Sequence, residues 1–294
     1  MNSFIFLDYY IPYAGLCNQL YLISNHIYQA YLTGKKIFLH KFNIDVFNKK
    51  RVPVSDIIDL VKTNENLNKY GLYNIILYDP PDTNCEIPQL CIYPVNSIEI
   101  LSCIEFHDKF KCNTFDGYGI HFRIDIDCII SYLFEEHIYK DFVKLCNSDP
   151  PRAVTKVENL LKDSLVTDYI HFLFNQYIFF INEAGFDKPW YISTPIRKNI
   201  FQNPLIPYLN DLTNHITNSN GRYLISSKTF AERELNGLVD LLVLTNCEKV
   251  IVFEGSSFSE GYVCKVNSAR KNKRQYYTIR FETEKIPNDI YERC

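Results

Sequence analysis

The sequence lacks the marks of a membrane or secreted protein. The sequence contains no stretch of about 18 consecutive apolar residues, so no membrane-spanning helix is expected. The first residues, Met1–Asp8, contain no basic group, and their apolar run is too short for a signal peptide. We therefore expect a protein that is made and kept in the cytoplasm.

An excess of charge of one sign is also lacking. The 294 residues include 31 Lys and Arg against 34 Asp and Glu, a net charge of -3. This balance gives no overall attraction to nucleic acid or to an anionic membrane surface. Any ligand is expected to be held by a local site.

Closely spaced cysteines are absent as well. The ten cysteines are scattered without a C-x-x-C pair, a pattern that indicates neither a zinc site nor a disulfide framework. Several lie in apolar stretches, such as Cys128 and Cys264. We expect them to be buried thiols that act as small hydrophobic side chains.

What the sequence does contain is a regular alternation of strand and helix patterns. The predicted strands are Phe4–Tyr10, Lys36–Phe42, Asn74–Asp79, Tyr118–Asp127, Trp190–Ser193, Arg222–Ser226, Lys249–Phe253 and Tyr276–Phe281. The predicted helices are one from Leu20 to Gly34, one capped by Ser55, Ile129–Leu145, Val154–Glu183, Leu205–Ile216, Glu232–Leu244 and one after Gly255. Such alternation predicts an α/β fold with mostly parallel sheets.

The length indicates two domains. At about 150 residues per domain, 294 residues suit two doubly wound α/β domains. We place them at residues 1–115 and 116–294, with a cleft between them.

The segment Tyr118–Asp127 carries ionisable groups at every second position. Alternation along a strand places four of them on one face, namely His121, Arg123, Asp125 and Asp127. A central strand of a parallel sheet is usually apolar on both faces, so such a face favours a ligand site. A solvated edge strand or an internal ion-pair network would produce the same pattern.

A second polar segment follows the apolar strand Lys249–Phe253. The turn Gly255-Ser256-Ser257 leads into a predicted helix, whose free N–H groups and dipole suit a diphosphate. Serine is also an ordinary helix N-cap, so the turn alone is not specific. Arg123 would grip the same phosphate from the other side.

Two further segments carry polar groups. Gly15, Asn18 and Gln19 lie where the first loop meets the first helix, and their amides suit a hydroxyl-rich ligand or a simple turn. Asp240 lies in a strongly apolar helix. A buried carboxylate needs donors, which the N–H edge of guanine or a salt bridge would supply.

As an ordered set, these motifs resemble those of the GDP-fucose-dependent fucosyltransferases. The motifs are G-x-x-N-Q at 15–19, H-x-R at 121–123, D-L-L-x-x-x-x-C at 240–247 and G-S-S-F-S at 255–259. The superfamily includes α-1,2-, α-1,6- and protein O-fucosyltransferases. The resemblance implies a GT-B architecture, in which two Rossmann-type domains face a cleft, the C-terminal one for the donor and the N-terminal one for the acceptor.

The resemblance also implies roles for individual residues. It assigns Arg123 to the β-phosphate of the donor and Asp240 to guanine. The other residues that it assigns to the donor are His121, Ser256, Ser257 and Phe258, with Gly15, Asn18 and Gln19 facing the sugar or the acceptor. The partners would be a nucleotide sugar and a glycan or glycoprotein.

The reaction implied is an inverting sugar transfer without a metal or cofactor, with Arg123 and the serine turn neutralising the leaving diphosphate. Asp8, Asp127 and Glu260 are candidates for the base. One alternative is a GT-A glycosyltransferase that binds Mn²⁺ or Mg²⁺ through Asp125 and Asp127. Another is a glycan- or nucleotide-binding protein without activity.

Overall fold

The computed structural model describes residues 4–7, 15–34, 36–39, 41–45, 50–72, 77–78, 97–111, 115–196, 203–226, 233–281 and 285–293. The chain divides into two compact units. The first comprises Met1–Phe115, Phe230–Asn246 and Ser257–Arg274, and the second comprises Asp116–Thr229, Cys247–Ser256 and Gln275–Cys294.

The described strands are β1 (Phe4–Leu7), β2 (Lys36–Leu39), β3 (Lys41–Asp45), β4 (Lys50–Pro53), β5 (Leu77–Tyr78), β6 (Tyr118–His121), β7 (Trp190–Ser193), β8 (Tyr223–Ser226), β9 (Lys249–Phe253) and β10 (Gln275–Ile279). The described α-helices are α1 (Leu16–Thr33), α2 (Leu60–Lys69), α3 (Ser97–Cys103), α4 (Ile126–Leu133), α5 (Glu136–Ser148), α6 (Pro150–Leu160), α7 (Ser164–Ala184), α8 (Ile206–Asn218), α9 (Arg233–Asn246), α10 (Lys265–Ala269) and α11 (Asn288–Arg293). A π-helical segment, Ser257–Cys264, precedes α10. Mixed α/β structure is therefore observed in both units.

The first unit contains a parallel sheet in the order β1-β2-β5 and an antiparallel hairpin of β3 and β4. The helix α9 packs against β3, α1 and the π-helical segment, which is why it is grouped with this unit although it lies far along the chain. The first segment of the first unit ends at Phe115. The two later segments of the first unit fall inside the range that we predicted as the second domain.

Two predictions in the first unit need correction. The predicted strand Lys36–Phe42 is divided between β2 and β3. The helix that Ser55 was expected to cap begins instead at Leu60, because the Asp59 carboxylate accepts the N–H of Lys62 at 3.0 Å.

The second unit is built on five parallel strands in the order β10-β9-β6-β7-β8. Numbered by their sequence within this unit, the order is 5-4-1-2-3, which is that of a doubly wound sheet. Every residue of β6 is buried, as is β9 after its first residue. This explains why β9 is a continuous apolar run after Lys249.

The core of the second unit explains the longest helix. In α7 the buried side chains recur at three- and four-residue steps, through Val166, Ile170, Leu173, Tyr177 and Ile181. They pack in one cluster with strand residues such as Trp190. Each large side chain buried there contributes about 1.5–3 kcal/mol of transfer free energy, so this face anchors α7 to the sheet.

The predicted strand Tyr118–Asp127 is wrong in its second half. The strand β6 ends at His121, and Asp125 is the N-cap of α4, where its Oδ1 accepts the N–H of Cys128 at 2.9 Å. Asp127 therefore lies exposed in the first turn of a helix. The expected polar strand face does not form, because the alternating pattern continues into a helix N-terminus.

The two long helices predicted after that strand, Ile129–Leu145 and Val154–Glu183, are replaced by α4, α5, α6 and α7. Local acids start two of them. Asp149 accepts the N–H of Arg152 at 3.2 Å, and Asp163 accepts the N–H of Leu165 at 3.0 Å. Among the described helices, none combines the length and the apolar character needed to cross a membrane.

Candidate functional site

The carboxyl ends of β6 and β9 lie side by side at the point where the strand order of the second unit reverses. The two strands pair in parallel from Tyr118 opposite Lys249 to Ile120 opposite Ile251. The connections from β6 and from β9 lead to opposite edges of the sheet. In open α/β sheets this switch point opens a crevice beyond the strand ends, where ligands bind. We call this region the switch-point edge, and its elements are the residues that follow His121 and Phe253.

Arg123 is the cation of the switch-point edge. Its side chain is 30% exposed, and its Nε lies 3.5 Å from Oδ2 of Asp125. Its guanidinium carbon lies 6.0 Å from the centroid of the Phe253 ring, on β9. Arg123 is thus fixed between an acid at the start of α4 and a ring at the end of β9.

Asp125 uses both carboxylate oxygens and is itself buried. One oxygen caps α4 and the other pairs with Arg123. Burial lowers the pKa of Arg123, but nearby acidic groups, with Asp125 the strongest, outweigh it and move the pKa upward. The guanidinium therefore remains charged.

His121 is the last residue of β6 and is buried opposite Ser193 of β7. Burial, and secondarily the charge of Arg123, lowers the pKa of His121 to about 3. The imidazole is therefore neutral at physiological pH, so it can accept or donate a hydrogen bond but adds no positive charge to the edge.

A hydroxyl that sequence analysis missed holds the backbone between these two residues. The Tyr177 hydroxyl, on α7, donates to the carbonyl of His121 at 2.8 Å and accepts the N–H of Arg123 at 3.0 Å. Burial raises the pKa of Tyr177 well above its ordinary value, so the hydroxyl keeps its proton. Tyr177 lies in an apolar helix, where its spacing indicates only a core residue.

The turn after β9 forms the other side of the switch-point edge. Gly255 has a φ of 68°, a left-handed conformation that favours glycine. Ser256 is buried, and its N–H donates to the carbonyl of Phe253 at 3.2 Å. A Cβ at Gly255 would lie 3.5 Å from the hydroxyl of Tyr132, a residue of α4 that sequence analysis also missed.

Aromatic rings surround this turn. Tyr132 stacks on Phe281 with 3.7 Å between ring centroids, and Phe281 meets Phe253 edge-on at 4.8 Å. The three rings come from α4, β9 and the residues after β10. No motif in the sequence links them, because they meet only through the strand order.

Ser257 and Phe258 belong to the first unit and are half-buried. The helix predicted after Gly255 is observed as the π-helical segment, and its first turn contains Glu260. π-Helical turns are rare and often occur at functional sites. Burial raises the pKa of Tyr21, and Cys17, the half-buried Glu260 and Cys264 add to this shift.

At the start of α1, in the first unit, an acidic side chain accepts a backbone N–H. Gly15 is the N-cap and offers no side chain, and the N–H of Leu16 donates to Oε2 of Glu234 at 2.8 Å. Asn18 is exposed in the first turn, and Gln19 is buried. Glu234 comes from α9, so its role at this helix start could not be seen in the sequence.

The remaining predicted residues are placed separately. Asp240 is buried on α9 in the first unit. Asp8 lies outside the described residues. The structure therefore brings His121, Arg123 and Ser256 to the second unit, while Gly15, Asn18, Gln19, Asp240, Ser257 and Phe258 belong to the first.

No protein-family model matches the sequence, and no curated protein is significantly similar to it.

Proposed function

We propose that the chain is an inverting glycosyltransferase that takes its sugar from a nucleotide sugar and passes it to a glycan or protein hydroxyl. The observation that carries this proposal is the position of Arg123 at the switch-point edge. Within the described residues, no hydrogen bond engages the two terminal nitrogens of its guanidinium. A diphosphate is the ligand that suits a charged, oriented fork at this place in a doubly wound sheet.

The same arginine would serve the chemistry. Sugar transfer from a nucleotide develops negative charge on the leaving diphosphate, and a fixed cation stabilises that charge in the transition state. Asp125 and Phe253 hold Arg123 before substrate arrives, so little reorganisation is needed. This arrangement favours a mechanism without a metal ion.

The proposed donor is GDP-fucose, and its support is the resemblance of the ordered motifs to fucosyltransferases. In this proposal the two units are the Rossmann-type domains of a GT-B enzyme. The second holds the diphosphate at Arg123, with His121 and Ser256 nearby. The acceptor would be bound by the first, through the motif that contains Asn18 and Gln19.

The metal-dependent alternative is less favoured by the same contacts. A GT-A enzyme would need the carboxylates of Asp125 and Asp127 for Mn²⁺ or Mg²⁺. Asp125 already accepts the Cys128 N–H with one oxygen and faces Arg123 with the other. A divalent ion there would lie beside a guanidinium, which raises its electrostatic cost.

The experiment is a panel of nucleotide sugars and nucleoside diphosphates, screened by thermal shift and then by sugar transfer in excess EDTA. A donor at about 100 times its dissociation constant stabilises a protein by about 2.7 kcal/mol. We expect GDP-fucose to give the largest shift and transfer to persist in EDTA. Binding without transfer to any acceptor would favour the binding-protein alternative, a preference for a UDP-sugar would overturn the donor, and activity lost in EDTA and restored by Mn²⁺ would favour GT-A chemistry.

A further inference from the structure

Tyr177 lies in the core of the second unit, with its side chain fully buried. Its ring meets the ring of Phe122 nearly edge-on, with 4.9 Å between centroids. A phenylalanine would make the same packing contact. The hydroxyl is therefore the part of this residue that packing does not explain, and a buried hydroxyl needs hydrogen-bond partners.

Those partners lie where the chain leaves the sheet towards the switch-point edge. The Tyr177 hydroxyl donates to the His121 carbonyl at 2.8 Å and accepts the Arg123 N–H at 3.0 Å. On the other side of the strand, the N–H of Phe122 donates to the Ser193 carbonyl at 2.8 Å. As far as Ile120, β6 pairs with β9. Beyond Ile120, the Tyr177 hydroxyl takes the place of that strand as the hydrogen-bond partner of His121 and Arg123.

We propose that Tyr177 is a positioning residue for Arg123. By fixing the backbone at Arg123, it places the guanidinium where it can bind a phosphate group. Tyr177 fixes the backbone of Arg123, and Asp125 fixes its side chain. The proposal rests on the proposed function, because it assumes that Arg123 binds an anion. Tyr177 itself touches no ligand in this scheme.

The effect of losing the hydroxyl follows from the geometry. Without it, the buried His121 carbonyl and the Arg123 N–H both lose their partner, so the backbone at Arg123 is no longer bonded to α7, although the ring of Phe122 still packs there. The guanidinium would then sample several positions rather than one. Misplacement by about 1 Å is enough to weaken a site built on orientation.

The test is Tyr177→Phe, with Tyr169→Phe as the matched control. Tyr169 is a second buried tyrosine on α7, about two turns away, so its substitution removes the same atom from the same helix. Titration with GDP and with inorganic diphosphate gives the affinity, and steady-state transfer separates kcat from KM. Thermal unfolding measures the structural effect of both variants.

We expect Tyr177→Phe to weaken GDP and diphosphate binding about tenfold, the equivalent of one hydrogen bond. The loss should be equal for both ligands, since they share the diphosphate, and should raise KM. Tyr169→Phe should bind as the wild type does, whatever its stability. Wild-type affinity in Tyr177→Phe, or an equal loss in both variants, would overturn the proposal.

Should Tyr177→Phe fail to fold, hydrogen exchange of the wild-type chain tests the anchoring directly. The Arg123 amide is expected to exchange as slowly as those of β6, although it lies two residues beyond the strand. Rapid exchange, as in an open loop, would overturn the proposal. If the wild-type chain bound neither GDP nor diphosphate, the proposed function itself would be wrong. If the wild type bound them and Tyr177→Phe bound them equally well, only the role of Tyr177 would be wrong.

Discussion

The N-termini of α1 and α4 differ in the origin of the carboxylate that accepts a backbone N–H there. At α1 the acid is Glu234, 218 residues away along the chain. At α4 it is Asp125, the N-cap itself. The second acid also faces the guanidinium of Arg123, with Nε 3.5 Å from its Oδ2.

The difference separates two kinds of polar site. The dipole at the start of α1 is already balanced by Glu234, so a phosphate would meet a negative group there. A neutral, hydroxyl-rich ligand suits the exposed Asn18 better. At α4 the acid holds Arg123 in place and leaves the positive charge at the switch-point edge, where an anion is expected.

The largest expected effect is on the pH dependence of the free energy of unfolding. It compares one histidine from each unit, His121 in the second and His26 in the first. His121 has a pKa of about 3 in the folded chain, far below its value when unfolded, so the unfolded state binds the extra proton. The free energy of unfolding should therefore fall as pH drops below about 6.5, by about 3 kcal/mol at pH 4.

The matched variants are His121→Gln and His26→Gln, followed by urea unfolding between pH 4 and pH 7. His26 is half-buried; its pKa is lowered by burial, with its bond to the Leu22 carbonyl acting in the opposite direction. His121→Gln should remove most of the acid sensitivity and His26→Gln less of it. An unchanged pH slope in His121→Gln would show that this imidazole is not buried and neutral.

A smaller effect compares the two capping acids. Asp125→Asn leaves an oxygen to cap α4 but removes the charge that faces Arg123, which should cost about 2 kcal/mol of unfolding free energy. Glu234→Gln keeps an acceptor for the Leu16 N–H and should cost below about 1 kcal/mol. Denaturation of both variants in one buffer makes the comparison. Equal losses would mean that Asp125 acts only as a cap.

The smallest effect concerns two glycines. Gly255 has a φ of 68°, and an alanine there should destabilise the chain by about 1–2 kcal/mol. Gly237 lies within α9 with nothing within 4 Å of an added Cβ, so Gly237→Ala should stabilise it by about 1 kcal/mol. Thermal unfolding checks both signs. A neutral Gly255→Ala would show that the turn after β9 is not held in its left-handed form.

The sequence predicted well where local pattern and burial agree. β7 and β9 occupy the predicted ranges, since each is a short apolar run covered on both sides. Arg123 meets the ring of Phe253, the last residue of β9, at 6.0 Å, whereas its convergence with the serine turn on one diphosphate stays a prediction. The order of the strands decides that meeting, and no local pattern reveals it.

The failures have physical reasons. The residues Arg123 to Asp127 continue the alternation of β6, yet Asp125 finds a better partner in the free N–H groups of α4 than it would on a strand face. Tyr177 and Glu234 act through contacts with residues far away along the chain. Such residues are indistinguishable in sequence from a core aromatic and a surface acid.

The most direct test of the central claim is to compare Arg123→Ala with Arg222→Ala in GDP binding and in sugar transfer. Arg222 is an exposed arginine of the same unit, just before β8 at the opposite, amino edge of the sheet, so both variants lose one positive charge. We expect Arg123→Ala to lose affinity for GDP and to transfer sugar about 100- to 1,000-fold more slowly, as when a fixed donor is removed from an oxyanion site, with Arg222→Ala unchanged. Wild-type binding and transfer by Arg123→Ala would contradict the account.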